Sequence, residues 1–319
     1  MRVDRRGFLR ASLAAAAAGA VAWPTVAPAS AATGTAAGAT ARTAPTAGFA
    51  PSDWMSALGD AVPLSRLTLP GTHDSCARYG GALTECQTLP IARQLEYGIR
   101  FLDIRCRSID GSFAIHHGPV YQQQMFGDVL VACAAFLAAH PGETVLMRVK
   151  QEYSQVSDTD FLAVFNDYLD NRGWRGLFHL GDTLPALGAA RGRVVLISDV
   201  PTLPAVGWWS SQLDLQDDWT VPTLFDRPHK YQDVVNQINR AAATGPGGPL
   251  SVNFLSGSSA GCFPTDCAAY VNPHVQDYLG SFAASHGHPP LGVLVMDFPE
   301  RHAPALTSTL LNWNAQGTP

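Results

Sequence analysis

Beyond residue 31 the chain lacks any apolar run long enough to cross a membrane, any surplus of basic residues, any internal repeat, and any cysteine spacing of a standard zinc site. A spanning helix needs about 20 consecutive apolar residues, so no later segment is a candidate. The formal net charge is −5, from 21 Lys and Arg against 26 Asp and Glu. That balance gives no support to a nucleic-acid partner, which favours a basic patch. It also argues against strong attraction to an anionic membrane surface. The six cysteines (Cys76, Cys86, Cys106, Cys133, Cys262 and Cys267) match no Cys/His ligand pattern, which argues against structural zinc.

What is present begins with an export signature. Arg5-Arg6 precede Gly7-Phe8-Leu9-Arg10, a twin-arginine motif, and an Ala-rich apolar stretch runs on to about Trp23. Ala29-Ser30-Ala31 is a small-residue cleavage site, with Ala27-Pro28-Ala29 an alternative. Residues 1–31 are therefore expected to be a signal peptide of a secreted protein. Residues 32–48, rich in Ala, Thr and Gly, are expected to be a disordered linker. Residues 49–319 are long enough for one large domain. An even cysteine count in an exported chain favours disulfides, with Cys76/Cys86 and Cys262/Cys267 the natural local pairs and Cys106 and Cys133 left over.

Three short segments carry most of the functional information: Leu69-Pro70-Gly71-Thr72-His73-Asp74-Ser75, Arg100-Phe101-Leu102-Asp103-Ile104-Arg105, and Ala114-Ile115-His116-His117-Gly118. In each, an apolar, strand-like run leads directly to His, Asp or Arg. The pattern predicts strands over 64–69, 99–105, 113–117, 144–152, 193–199, 250–255 and 291–298. Helices are predicted over 90–97, 127–140 and 158–169. Residues 200–248 have no clear pattern. Alternation of strands with helical spacers predicts mostly parallel strands in one α/β barrel. In such a barrel the active site lies at the C-terminal ends of the strands, where these polar groups fall.

The residue types suit proton transfer at a phosphate ester. Histidine titrates near neutral pH and takes or gives a proton there. Arginine presents a planar fork of donors that matches phosphate oxygens. Asp103 and Arg105 are two apart and share a strand face, as do Arg148, Lys150 and Glu152. Asp297 interrupts the apolar run Gly292-Val293-Leu294-Val295-Met296, so it needs a partner, and a histidine is a good candidate.

These segments, with Pro141–Tyr153 and Val293–Phe298, resemble the bacterial phosphatidylinositol-specific phospholipase C family, the X-domain fold. The resemblance spans most of residues 50–300 and implies a distorted TIM-like barrel acting as a monomer on phosphatidylinositol in membranes. It implies that His73 is a general base toward the inositol 2-hydroxyl, oriented by Asp297. His117 would be the general acid, assisted by Asp74. Arg105 would hold the phosphate, and Asp103 would support the acid side or the arginine. Lys150 and Asp217 would contact inositol hydroxyls. The product would be a cyclic inositol phosphate with release of diacylglycerol. Some relatives use calcium. Arg105 and Lys150 match the metal-independent branch, and a fixed cation would repel calcium, so no metal or other cofactor is expected. Asp103, Glu152 and Asp199 are the rival metal set.

Two departures fall in headgroup recognition. Asp199 stands where the family pattern places an inositol-contacting arginine. Trp219 stands where it places a stacking tyrosine. Trp208-Trp209, and less strongly Phe126, are the candidates for contact with a lipid surface. Two competing functions remain at this level. A glycerophosphodiesterase-like hydrolase would want a cluster of carboxylates around metal. A non-catalytic lipid-binding barrel would be expected to lose His73 or His117.

Overall fold

The computed structural model describes residues 49–317, so the proposed signal peptide and linker lie outside the described residues. Eleven strands are present: β1 Thr68–Thr72, β2 Phe101–Ile109, β3 Ser112–His117, β4 Val120–Met125, β5 Val145–Gln151, β6 Phe178–His179, β7 Val194–Ser198, β8 Val206–Gly207, β9 Leu213–Gln216, β10 Leu250–Phe254 and β11 Gly292–Met296. Eight α-helices accompany them among the described residues: α1 Ile91–Glu96, α2 Phe126–Ala139, α3 Asp158–Asn166, α4 Leu187–Ala190, α5 Arg227–Ala242, α6 Pro264–His286, α7 Pro299–His302 and α8 Pro304–Gly317. None of the described helices is long and apolar enough to cross a membrane.

The main sheet runs β6-β7-β5-β2-β1-β11-β10-β9 with parallel neighbours throughout. Among the described residues no ladder joins β9 back to β6, so the barrel is curled but not closed. The period of two along each strand sorts side chains into two apolar layers. Leu69, Phe101, Leu146, Val195, Val252 and Val293 fill the inner core. Leu102, Met147, Leu196 and Leu294 face outward into a second core shared with residues of α2, α3 and α6.

The inner face changes character along its length. On β2 it reads Phe101, Asp103, Arg105; on β5 Leu146, Arg148, Lys150; on β7 and just beyond, Val195, Ile197, Asp199; on β11 and just beyond, Val293, Val295, Asp297. Apolar residues therefore plug the barrel bottom, and charges collect at the C-terminal mouth.

The first strand begins and ends later than expected. Leu64–Arg66 is a 3-10 turn, and β1 continues through Pro70-Gly71. Proline does not end it, because the Pro70 carbonyl still accepts from Arg100 N at 2.9 Å. Glycine is needed next: a Cβ at Gly71 would lie 3.0 Å from both Phe101 Cβ and Val293 Cγ1 on the crowded inner face. The expected third barrel strand is a second correction. β3 pairs antiparallel with β2 and β4, forming a hairpin off the main sheet. Residues 200–248 resolve into β8, β9 and α5.

The cysteine expectation is also corrected. All six are buried free thiols. Cys86, expected to pair with Cys76, turns its sulfur instead toward His117 Nδ1 at 3.9 Å. Cys267 Sγ leans on the Leu255 carbonyl at 3.9 Å rather than bridging to Cys262.

Candidate active site

The loop Thr72–Ser75 leaves β1 under tight control. Thr72 Oγ1 donates to Gln94 Oε1 at 2.7 Å, and Gln94 Nε2 donates to the Ser75 carbonyl at 2.7 Å. Ser75 Oγ accepts from Asp103 N at 2.8 Å. Gln87 Nε2 donates to the His73 carbonyl at 2.8 Å and to that of Met296 at 2.9 Å. Asp74 pays for its place with a left-handed backbone, φ 35°, a region that Asp enters more readily than most residues. Such strain persists where the surroundings over-determine it, as at active sites.

Each histidine is paired with a buried carboxylate through Nδ1. His73 Nδ1 lies 2.9 Å from Asp297 Oδ1. His117 Nδ1 lies 2.8 Å from Asp74 Oδ2, a close contact rather than an aligned hydrogen bond. Arg105 sits among them. Its Nη2 donates to His73 Nε2 at 2.7 Å and contacts Asp103 Oδ2 at 3.2 Å, while Nε is 3.5 Å from Asp74 Oδ2. Arginine only donates, so His73 Nε2 must present its lone pair and Nδ1 must carry the ring proton toward Asp297. His117 Nε2 has no partner among the described residues, and its side chain is 24% exposed.

A second charged row stands beside the first. Asp103 lies opposite Arg148 in the β2–β5 register, and Arg105 opposite Lys150. Arg148 Nη1 reaches Asp103 Oδ1 at 3.4 Å and its Nη2 reaches Asp199 Oδ2 at 2.9 Å. The guanidinium lies over the Trp208 ring at 3.8 Å. Trp208 meets Phe254, and Phe254 meets the His73 ring edge-on. Contacts therefore close a ring through His73, Arg105, Asp103, Arg148, Trp208 and Phe254. Lys150 Nζ pairs with Glu152 Oε2 at 3.2 Å, and Glu152 Oε1 accepts from Gly118 N at 2.9 Å, tying β5 to the loop after His117.

Burial and charge set the titration. For His73, burial opposes the charged ring, but the Asp297 carboxylate outweighs it and the opposing Arg105 charge, so the pKa stands above the ordinary histidine value. Burial pushes the Asp297 carboxyl upward despite His73. Asp103 is also opposed by burial, yet Arg105 and Arg148 hold it well below the usual carboxylate range. Burial raises Asp199, which Arg148 only partly offsets.

His73, Asp74, Asp103, Arg105, His117, Lys150, Glu152, Asp199 and Asp297 thus gather at one mouth. Asp217 and Trp219 do not join them by any hydrogen bond or ion pair among the described residues. Asp217 is exposed just past β9, beside Asn236 and Arg240 of α5. Trp219 is exposed, its carbonyl accepting from Ser258 N at 2.8 Å. Phe126 is buried against Phe113 and Tyr168, and Trp208 is buried on Arg148, so neither meets a lipid surface; Trp209 is exposed. Arg148 was the missed site residue. The signal was available, since it shares a strand face with Lys150. The rival metal set is occupied otherwise: Asp103 and Asp199 face Arg148, and Glu152 faces Lys150.

Comparison with known proteins places this site in a family context. The profile described as "Phosphatidylinositol-specific phospholipase C, X domain" matches residues 62–199. The chain carries that X-domain match and is similar to bacterial phosphatidylinositol-specific phospholipases C. A 1-phosphatidylinositol phosphodiesterase of Listeria monocytogenes is 29% identical over 267 residues, covering 78% of this chain and 81% of the relative. One of Staphylococcus aureus is 27% identical over 286 residues, covering 78% and 88%. The solved phosphatidylinositol-specific phospholipase C from Listeria monocytogenes superposes with a TM-score of 0.73 at 27% identity, covering 83% of this chain and 99% of that one. The X-domain match ends at Asp199, so it contains both histidines and Arg105, while the Asp297 partner of His73 lies beyond it.

Proposed function

We propose that this phospholipase C cleaves phosphatidylinositol to diacylglycerol and a cyclic inositol phosphate, without a metal. The observation that carries the reading is the pair of histidines, each backed by a carboxylate at Nδ1, on either side of Arg105. The inositol 2-hydroxyl attacks phosphorus as His73 Nε2 takes its proton. The bond from phosphorus to the glycerol oxygen breaks as His117 Nε2–H protonates that oxygen. Asp297 and Asp74 hold the two rings and stabilise their charged forms. Arg105 turns from His73 to the phosphate and stabilises the charge growing on its oxygens. The nucleophile belongs to the substrate itself, which removes much of the entropic barrier.

Arg148, Asp199, Lys150 and Glu152 form the headgroup wall. Arg148 Nε and Asp199 Oδ1 are buried without a hydrogen-bond partner, a donor and an acceptor available to inositol hydroxyls. Arg148 reaches from β5 to the wall where the charge at position 199 is negative. Asp217 and Trp219 are assigned to the outer rim. Trp209, Trp219 and Phe225, 80%, 60% and 92% exposed, follow β8 and β9 on the mouth side and are the proposed contacts with the lipid surface. Export by the twin-arginine route, removal of residues 1–31, a linker over 32–48, and a monomeric catalytic domain over 49–319 complete the reading.

The test is phosphorus NMR of residues 32–319 with phosphatidylinositol vesicles and excess chelator. A cyclic inositol phosphate signal is expected. Turnover only on restoring calcium would overturn the roles of Arg105 and Lys150.

A further inference from the structure

We propose that the catalytic mouth contains an inhibitory site for a thiophilic divalent cation of the zinc and cadmium class, built from Cys86, His73 and Asp297. The proposal rests on His73 being the base, as read above.

Cys86 has no part in the proton transfers, yet the chain fixes it beneath them. Its N donates to the Ala77 carbonyl at 2.9 Å, and its own carbonyl accepts from Phe298 N at 3.0 Å, one residue past Asp297. One ligand atom from each of Cys86, His73 and Asp297 lies within 4.8 Å of the other two. The same sulfur is 3.9 Å from His117 Nδ1, which places a fourth ligand atom, a second nitrogen, within reach. Zinc-class ions take sulfur, nitrogen and oxygen at about 2.0–2.3 Å in a tetrahedron, which sets neighbouring ligand atoms roughly 3.3–3.8 Å apart. Small side-chain rotations close that difference.

An independent observation points the same way. Asp297 is 1% exposed and its Oδ2 accepts no hydrogen bond among the described residues. A buried carboxylate oxygen without a donor is costly, and a cation would satisfy it. The fixed cation Arg105 binds the Nε2 side of His73, opposite the nitrogen that faces Asp297. The donor set itself, one thiol with one imidazole and one carboxylate, selects a softer ion than calcium or magnesium.

Binding forms three coordinate bonds and changes no oxidation state. The Cys86 thiol proton passes to solvent; where Nδ1 is the ligand, the ring proton moves to Nε2 and Arg105 withdraws from it. His73 then loses either its Nδ1–H pairing with Asp297 or its Nε2 lone pair, and the base is disabled in both cases. Metal therefore silences this lyase, the reverse of calcium activation.

The test uses residues 32–319 with zinc and cadmium salts, with and without Cys86→Ser. Zinc-edge X-ray absorption of the unmutated protein is expected to show one sulfur at about 2.3 Å beside nitrogen and oxygen. Cadmium is expected to give a thiolate charge-transfer band and to abolish lipid cleavage, both reversed by chelator. Cys86→Ser is expected to keep metal-free activity, lose the band and bind more weakly by over about 100-fold, more than the loss of a group that only orients a ligand would cost. A shell of nitrogen and oxygen only would overturn the proposal and direct attention to the cluster of exposed Asp218 and His229 with half-buried Asp233. Equal inhibition of both proteins, or a Cys86 found in a disulfide by mass spectrometry, would also overturn it. The spectroscopic readouts need no activity, so failure of the lyase reading is seen separately.

Discussion

Arg105 donates from Nη2 to His73 Nε2 at 2.7 Å, so the group assigned to the phosphate covers the base while the site is at rest. On the proposed mechanism, a substrate phosphate would draw the guanidinium away and free the lone pair for the 2-hydroxyl proton. Arg105→Lys keeps a charge but loses the fork. It is expected to lower kcat by about 10²–10³-fold, the usual loss when one transition-state donor is removed. Steady-state kinetics on phosphatidylinositol vesicles, with folding checked by circular dichroism, make the measurement.

The pH profile follows from the two neighbours of His73. The base must be neutral, and its pKa stands above the ordinary histidine value. Activity is therefore expected to fall on the acid side through a pKa above that value. Asp297 raises the His73 pKa, so Asp297→Asn should move this limb to lower pH while reducing kcat. Arg105 lowers it, so removing Arg105 should move the limb to higher pH. Profiles of kcat/KM check both directions, and limbs that move together in one direction would contradict them.

Asp103 links the two charged rows, and its carboxylate is held well below the usual range in the folded state. A depressed folded pKa contributes stability above the unfolded carboxylate value, and that stability is lost as pH falls toward the folded value. Asp103→Asn leaves Arg148 and Arg105 without their shared partner. It is expected to cost about 3–5 kcal/mol at neutral pH and to flatten the acid side of the stability curve. Denaturant melts at several pH values measure this.

Arg148 and Asp199 share a 2.9 Å hydrogen bond in the headgroup wall. If they act together on inositol hydroxyls, the substitutions Arg148→Met and Asp199→Asn should not be additive. A double-mutant cycle on kcat/KM is expected to give a coupling of about 0.5–3 kcal/mol. The larger effect should fall on KM, since the proton-transfer groups are untouched.

Trp209, just past β8, and Phe225, in the 3-10 turn Leu224–Asp226 that leads into α5, are both exposed. Trp209→Ala with Phe225→Ala is expected to weaken vesicle binding in sedimentation assays. Turnover of a water-soluble cyclic inositol phosphate should stay unchanged, because neither residue touches the charged centre.

Much of the site was legible because strand periodicity is strict. Phe101, Asp103 and Arg105 must share one face, so apolar residues leading to charges mark the mouth of a barrel. The family resemblance supplied roles that periodicity alone does not give. What escaped depends on contacts between strands. Arg148 reads as one of three alternating charges until β2 lies beside β5. Asp199 looks like a reversed charge until Arg148 is seen opposite it. Cys86 and Cys76 are near in sequence, but Cys86 faces the catalytic centre instead. Trp208 and Trp209 are adjacent, yet one supports Arg148 and the other is exposed, a division that burial decides and a dipeptide does not.

The most direct test of the account compares two leaving groups. Histidine-to-alanine variants at 73 and 117 are assayed on phosphatidylinositol and on an inositol phosphodiester with a nitrophenol leaving group, which departs without a proton. His73→Ala is expected to lose about 10²–10⁴-fold on both, while His117→Ala loses that on the lipid and stays near the unmutated rate on the nitrophenyl ester. Equal losses on both substrates for both variants would contradict the division into base and acid.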